Sequence, residues 1–259
     1  MKYFLCALML IGATVAVADD FDAVEAKLKA AMAADIRTDA EKERDRNRRP
    51  IQTLKFFGLR DDMAIIELLP GGGWYTKLLA PVVKENGQYY GALGTGRIAE
   101  RLGGKPGFEQ MQIIAEDSKT YRKEGERTYT LETTGLGVTG VDMVLTFRNY
   151  HNFGAQGRAA MNKAAFDALK SGGVYAVVDH TRRHMEQDNL ENRRRIDPVL
   201  AIKEIQAAGF EFVDFSDLHL RLDDELRYEV GRKTVTGNTD RWTCLLYTSP
   251  SPRDLIAHL

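Results

Sequence analysis

The chain has 259 residues, 36 Lys+Arg against 37 Asp+Glu, a formal charge of −1, 44% hydrophobic and 28% charged residues. That length holds one large domain or two small ones with a substantial core, and the composition excludes collagen-like, coiled-coil, disulfide-scaffold and disordered chains. Near-neutral charge removes any global case for nucleic-acid or anionic-membrane binding.

The first 18 residues read as an address. Lys2 gives a basic start, Phe4 to Val17 is almost wholly apolar, and Ala16-Val17-Ala18 supplies the small-x-small pattern before Asp19. This is a Sec-type signal peptide, too short for a comfortable span, and no stop-transfer pattern follows to favour an uncleaved anchor. The expectation is a soluble exported protein without stable membrane insertion, placed in the bacterial periplasm. Of the two cysteines, Cys6 leaves with the signal and Cys244 sits near the other end, so neither disulfide nor thiolate chemistry supports the body.

Residues 21–47 are helical in pattern, with Phe21, Val24, Leu28, Ala31 and Met32 at three- and four-residue spacing, and Thr38 or Asp39 caps a second helix through 49. The run EKERDRNRR (41–49) interleaves acids and bases, the pattern of a solvated, salt-bridged face rather than a nucleic-acid site. Pro50 ends that helix, and a short apolar helix runs from Ile51 to Gly58.

Strands and helices then alternate. Strands are expected at Met63–Leu69, Gln88–Leu93, Arg127–Glu132, Val141–Phe147, Gly173–Val178 and Phe210–Phe215. Helices are expected at Trp74–Lys84, over most of 97–124 with a Gly-Gly-Lys-Pro-Gly break, at Ala155–Lys170 and at Asp197–Ala208. Short apolar strands alternating with helices specify an α/β fold: a doubly wound, mostly parallel sheet covered on both faces. The domain reading is a signal at 1–18, a helical extension at 19–58, one α/β domain at 59–242, and a tail at 243–259. The tail breaks the pattern, and its TSPSPRD segment resembles translated sequencing-adapter sequence. It is expected to be non-native or disordered, with the natural frame lost near Trp242, where a final strand is due.

In such a sheet, ligands bind outside the carboxyl ends of the strands at the switch in strand order. Three of these ends carry unusual residues. After the first strand, Glu67 is followed by Pro70, then by Gly71, Gly72 and Gly73, which open a helix through Trp74, Tyr75 and Thr76. Glycines there let the backbone turn sharply and approach a ligand. No Gly-Lys-Ser/Thr follows, so this is not a phosphate loop, and Thr76 stands where a dinucleotide fingerprint needs its last glycine. After the fourth strand come Arg148, Asn149, Tyr150, His151 and Asn152, with His151 a candidate base near neutral pH. After the fifth come Asp179 and His180; Asp179 is suited to orient His151 or His180, or to cap the next helix. His184, Glu186 and Asp188 match no metal-ligand spacing, and no metal is expected. ENRRR (191–195) reads as a solvated helix face, although arginines near the pocket would suit an anionic substrate.

With these residues in place, the chain resembles the Rossmann-like, class I S-adenosylmethionine-dependent methyltransferases. More narrowly, it is similar to predicted exported bacterial methyltransferases carrying E-x-x-P-G-G-G-W-Y-T and T-F-R-N-x-H-N segments, here at 67–76 and 146–152. Arg195-Ile196-Asp197-Pro198, Ala207-Ala208-Gly209-Phe210 and Thr239-Asp240-Arg241-Trp242 fit the same pattern, so the likeness spans roughly residues 35–242. It implies a seven-stranded sheet with an antiparallel last strand. Glu67 and Gly71–Gly73 would hold the methionine and ribose part of S-adenosylmethionine, with Trp74 and Tyr75 against its sulfonium or adenine. Asn149 to Asn152 would line the acceptor pocket, with His151 as base, Asn149 and Asp179 acting with it, and Tyr150, Asn152 and His180 touching a small-molecule substrate. Members of the wider class usually carry an acid at the end of strand two, and Tyr90-Gly91-Ala92-Leu93-Gly94 has none. The alternatives are an exported, non-catalytic small-molecule-binding protein on the same fold and a nucleotide-dependent oxidoreductase; the missing glycine argues against the latter.

Overall fold

A computed structural model describes residues 21–249; the expected signal segment and residues 250–259 lie outside the described residues. The N-terminal extension is helical. It comprises α1 (Phe21–Ala33), α2 (Asp39–Lys42), α3 (Asp45–Arg48) and α4 (Pro50–Phe56). Phe21, Val24, Leu28 and Ala31 form the buried stripe of α1. Thr38 opens α2 with a capping box: its hydroxyl accepts from the Glu41 N–H while the Glu41 carboxylate accepts from the Thr38 N–H. Between α3 and α4, Arg49 adopts φ 42°, and Pro50, which needs no N–H partner in a first turn, starts the next helix.

The main sheet contains β1 (Ala64–Leu68), β2 (Gln88–Ala92), β3 (Gln112–Ile114), β6 (Val141–Phe147), β7 (Leu169–His180), β8 (Phe210–Ser216) and β9 (Arg241–Thr248). Its order is β3-β2-β1-β6-β7-β9-β8, parallel from β3 to β7. β9 runs antiparallel between β7 and β8. Crossover helices α5 (Thr76–Val83), α6 (Gly96–Leu102), α7 (Ala155–Ala168) and α8 (Pro198–Gln206) alternate with the strands. Strand order therefore reverses between β1 and β6, and that gap locates the cleft.

Alternation along the strands builds two apolar layers. Ile65, Met143, Leu145, Val174 and Ala176 pack with α1, α4 and α5; Ile66, Leu68, Val144, Tyr175 and Val177 pack with α7 and α8. Both faces are covered, so the strands read as near-continuous apolar runs.

Three expectations need correction. The segment 97–124 is helical only to Leu102; it continues as edge strand β3 and as β4 (Lys119–Tyr121). β5 (Thr130–Glu132) pairs with β4 in a separate two-stranded sheet, so the strand expected at 127–132 is not part of the main sheet. Finally, residues 243–249 are no disordered tail. Cys244 and Leu246 join Trp242 on the α7–α8 face, while Leu245 joins the opposite layer with Tyr247 packed against it, so the period-two pattern continues through the central antiparallel strand. No helix among the described residues is long and apolar enough to cross a membrane.

Candidate functional site

At the end of β1, Leu69 (φ 54°) and Gly71 (φ 59°) turn the chain back toward α5. A Cβ at Gly72 would meet nothing within 4 Å, so the floor of the turn is open, whereas one at Gly73 would press on Ile98 at 3.0 Å and Leu102 at 3.1 Å. Gly72 thus leaves space, while Gly73 permits close packing of α6.

Glu67 is buried beneath this floor. Its Oε2 accepts from the Thr76 hydroxyl and the Tyr89 hydroxyl, each at 2.7 Å. Burial pushes its carboxyl up to about 7, against the pull of those two hydrogen bonds. Tyr75 stacks on Phe147 with ring centroids 3.5 Å apart, and the Trp74 indole N–H donates to the Glu41 carbonyl at 2.9 Å. These groups surround a cavity of about 260 Å³ lined by Glu67, Gly71, Gly72, Trp74, Tyr75 and Asn149, together with Arg48, Arg101 and Arg148.

The ends of β6 and β7 build the adjoining compartment. Asp179 is fully buried and accepts from His151 Nδ1 at 2.5 Å, from the His151 backbone N–H at 2.8 Å and from the His180 backbone N–H at 2.6 Å. A carboxylate acceptor places the proton on Nδ1 and leaves His151 Nε2 as the acceptor nitrogen. His151 lines two further cavities of about 340 and 350 Å³, both shared with Asn152 and Arg194. His180 lines the first of these, its Nδ1 2.9 Å from the Thr239 hydroxyl; burial holds it well below the usual imidazole range, so it is neutral. Arg148 lines both the Gly-loop cavity and the His151 cavity, so the two adjoin along the strand ends with its side chain at their border.

Two expected roles change. Tyr150 lines neither compartment: it is fully buried, its hydroxyl accepting from Asn162 and reaching Glu204, with its ring against Trp242. Asn149 sits on the Gly-loop side, where its amide donates to the Leu69 carbonyl at 3.1 Å and ties β6 to the β1 turn. His184, Glu186 and Asp188 are spent separately, on Asp197, Asn192 and the Arg127–Arg182 pair. Residues 191–195 are not helical; Arg195 is buried on Asp224. The charge run 41–49 is solvated in part only, because Arg48 is 5% exposed and stacks over the Trp74 ring at 4.2 Å. The sequence assigns no role to Arg48, which lies inside the 41–49 charge run before Pro50, or to Arg241, which lies inside the Thr239-Asp240-Arg241-Trp242 segment.

No family model matches the chain, and no curated protein matches it. Solved structures do. The fold is similar to that of a SAM-dependent methyltransferase from Aquifex aeolicus, at 14% identity and TM-score 0.52, over 77% of this chain and 89% of that one. It is also similar to the CcbJ methyltransferase from Streptomyces caelestis, at 12% identity and TM-score 0.50, over 76% and 88%. A third likeness is to human N-acetylserotonin methyltransferase in complex with SAM, at 12% identity and TM-score 0.51, over 89% of this chain but 58% of that one. The seven-stranded, mostly parallel sheet is therefore the Rossmann-like methyltransferase fold.

Proposed function

We infer that the protein is an S-adenosylmethionine-dependent methyltransferase, exported to the periplasm and acting on a small molecule rather than nucleic acid. The observation that carries this reading is the pair of adjoining cavities at the strand switch point, with a side-chain-free floor at Gly71–Gly72 in one and His151, held by Asp179, in the other. The open floor, the buried Glu67 and the aromatic wall of Trp74 and Tyr75 suit the methionine half of such a donor. When bound, the donor supplies an electrophilic methyl group on a sulfonium. The protein's part is positioning and exclusion of water. Asp179 holds the His151 ring and its tautomer, so Nε2 accepts a proton from an acceptor that arrives protonated. Arg48 and Arg101 offer guanidinium groups to the donor carboxylate.

The end of β2 favours a second reading. It carries no acid to grip ribose hydroxyls, which suits a non-catalytic binding protein on the same fold. Calorimetry with S-adenosylmethionine and S-adenosylhomocysteine separates the two, with Gly72→Arg as control. The substitution meets no neighbour at Cβ and needs no left-handed backbone, so it fills the cavity in a folded protein. Saturable binding that the variant abolishes is the expected result. Absence of binding by folded wild-type protein overturns the donor assignment.

A further inference from the structure

Buried guanidinium groups elsewhere in the protein are matched by carboxylates: Arg37 by Asp45, Arg158 by Glu204 and Arg195 by Asp224. At the cleft the pattern breaks. The buried Arg48 and Arg241 and the half-buried Arg148 line the two adjoining cavities, and none has an ion pair among the described residues. Arg48 rests on the Trp74 ring. Arg241, 6% exposed, donates from Nη1 to the Asn47 carbonyl at 2.8 Å. Its Nε and that of Arg148 are buried without any acceptor. The carboxylates at this edge are already committed: Glu67 to two hydroxyls, Asp179 to His151 and His180, and Glu41 to Lys77.

Such an arrangement is costly, since burying charge without a partner forfeits hydration for nothing. Burial and the neighbouring Arg148 push Arg48 down to about 8 and Arg241 to about 10. The methyl donor cannot restore the balance. Its one carboxylate offsets a single guanidinium, and it brings an ammonium and a sulfonium of its own. That leaves the charges of the second cavity, lined by Arg148 and Arg241, without a counter-ion from the donor. There Arg148 and Arg241 stand beside His151, the neutral His180 and the Thr239 hydroxyl.

We propose that the second cavity, between Arg148 and Arg241, is an oxyanion site, and that the methyl acceptor carries a carboxylate or phosphate bound there. Calling that ligand the acceptor rests on the methyltransferase reading; the anion site itself does not. Guanidinium forks match either oxyanion, and they would place the acceptor's reacting group against His151.

The test is calorimetric titration of the full-length protein with inorganic phosphate and, separately, with acetate, each with and without saturating S-adenosylhomocysteine. The expected result is saturable binding of at least one anion while S-adenosylhomocysteine is bound, weakened about tenfold or more in Arg148→Gln. Arg241→Gln, whose fold is checked by circular dichroism, serves as the second variant. Which anion binds more tightly identifies the acidic group. Anion binding that S-adenosylhomocysteine competes away, that both variants retain, or that wild type lacks overturns the proposal. Anion binding lost in the variants, in a protein that never binds S-adenosylhomocysteine, supports the oxyanion site and overturns the methyltransferase reading instead.

Discussion

Arg148 adopts φ 61° immediately after β6, where its N–H donates to the Val178 carbonyl at 2.7 Å. The left-handed conformation costs an L-residue about 1 kcal/mol, which glycine avoids. Its guanidinium has no ion pair among the described residues to offset this, so the residue is held against both backbone and charge preference. Strain of this kind collects at sites of function. Arg148→Gly is therefore expected to raise stability by about 1 kcal/mol in urea unfolding. A loss of stability would mean that Arg148 makes a contact worth more than its strain.

At the scale of elements, β9 decides whether the sheet closes. Among the described residues it is the only antiparallel neighbour of β7 and of β8, and Trp242, Cys244 and Leu246 are buried against the α7–α8 layer. It also reaches the cleft: the Thr243 hydroxyl donates to His219 Nδ1 at 2.7 Å, and His219 Nε2–H donates to the Arg48 carbonyl at 3.0 Å. Burial pushes the Cys244 thiol well up, which leaves it an inert thiol in an occluded place. Native protein is expected to leave Cys244 unlabelled by a maleimide, located by peptide mass spectrometry, with labelling appearing only as the protein unfolds. Rapid labelling under native conditions would show that residues 243–248 do not pair as a strand. The sequence concealed this element because the Ser-Pro run at 249–252 follows it directly and masks the alternation of Trp242, Cys244 and Leu246. β1, β6 and β7 were legible because burial on both faces makes them continuous apolar runs. β3 and β4 were not, since three-residue strands are specified by the neighbours they pair with rather than by any period of their own. Strand ends were legible as a site because topology brings the Gly71–Gly73 turn, His151 and Asp179 to one edge. Arg48 was hidden within a charge run, where only the corner at Arg49–Pro50 distinguishes an inward arginine from its solvated neighbours.

For the molecule as a whole, two buried groups give stability opposite slopes over nearly the same pH range. His219 is held neutral by burial, its pKa lowered from 6.5 to about 4. The unfolded chain binds more protons in that interval, so the stability His219 contributes is complete above pH 6.5 and is lost toward pH 4, by about 3 kcal/mol. His180 is lowered in the same direction and adds to the slope. Glu67 does the reverse. Its pKa is raised from 4.5 to about 7, so the folded state binds more protons between those values, and stability falls as pH rises through them, again by about 3 kcal/mol. The wild-type profile is consequently flattened by offset, with the histidines prevailing. Glu67→Gln keeps an acceptor oxygen for Thr76 and Tyr89 but removes the titration. Its stability relative to wild type is expected to grow by about 3 kcal/mol from pH 4.5 to 8 in urea unfolding. A constant difference would mean that Glu67 ionises at its ordinary pKa inside the folded protein. Arg48, whose charge lowers the Glu67 pKa, would then be acting as its counter-ion, and one of the three uncompensated charges in the cleft would have its partner.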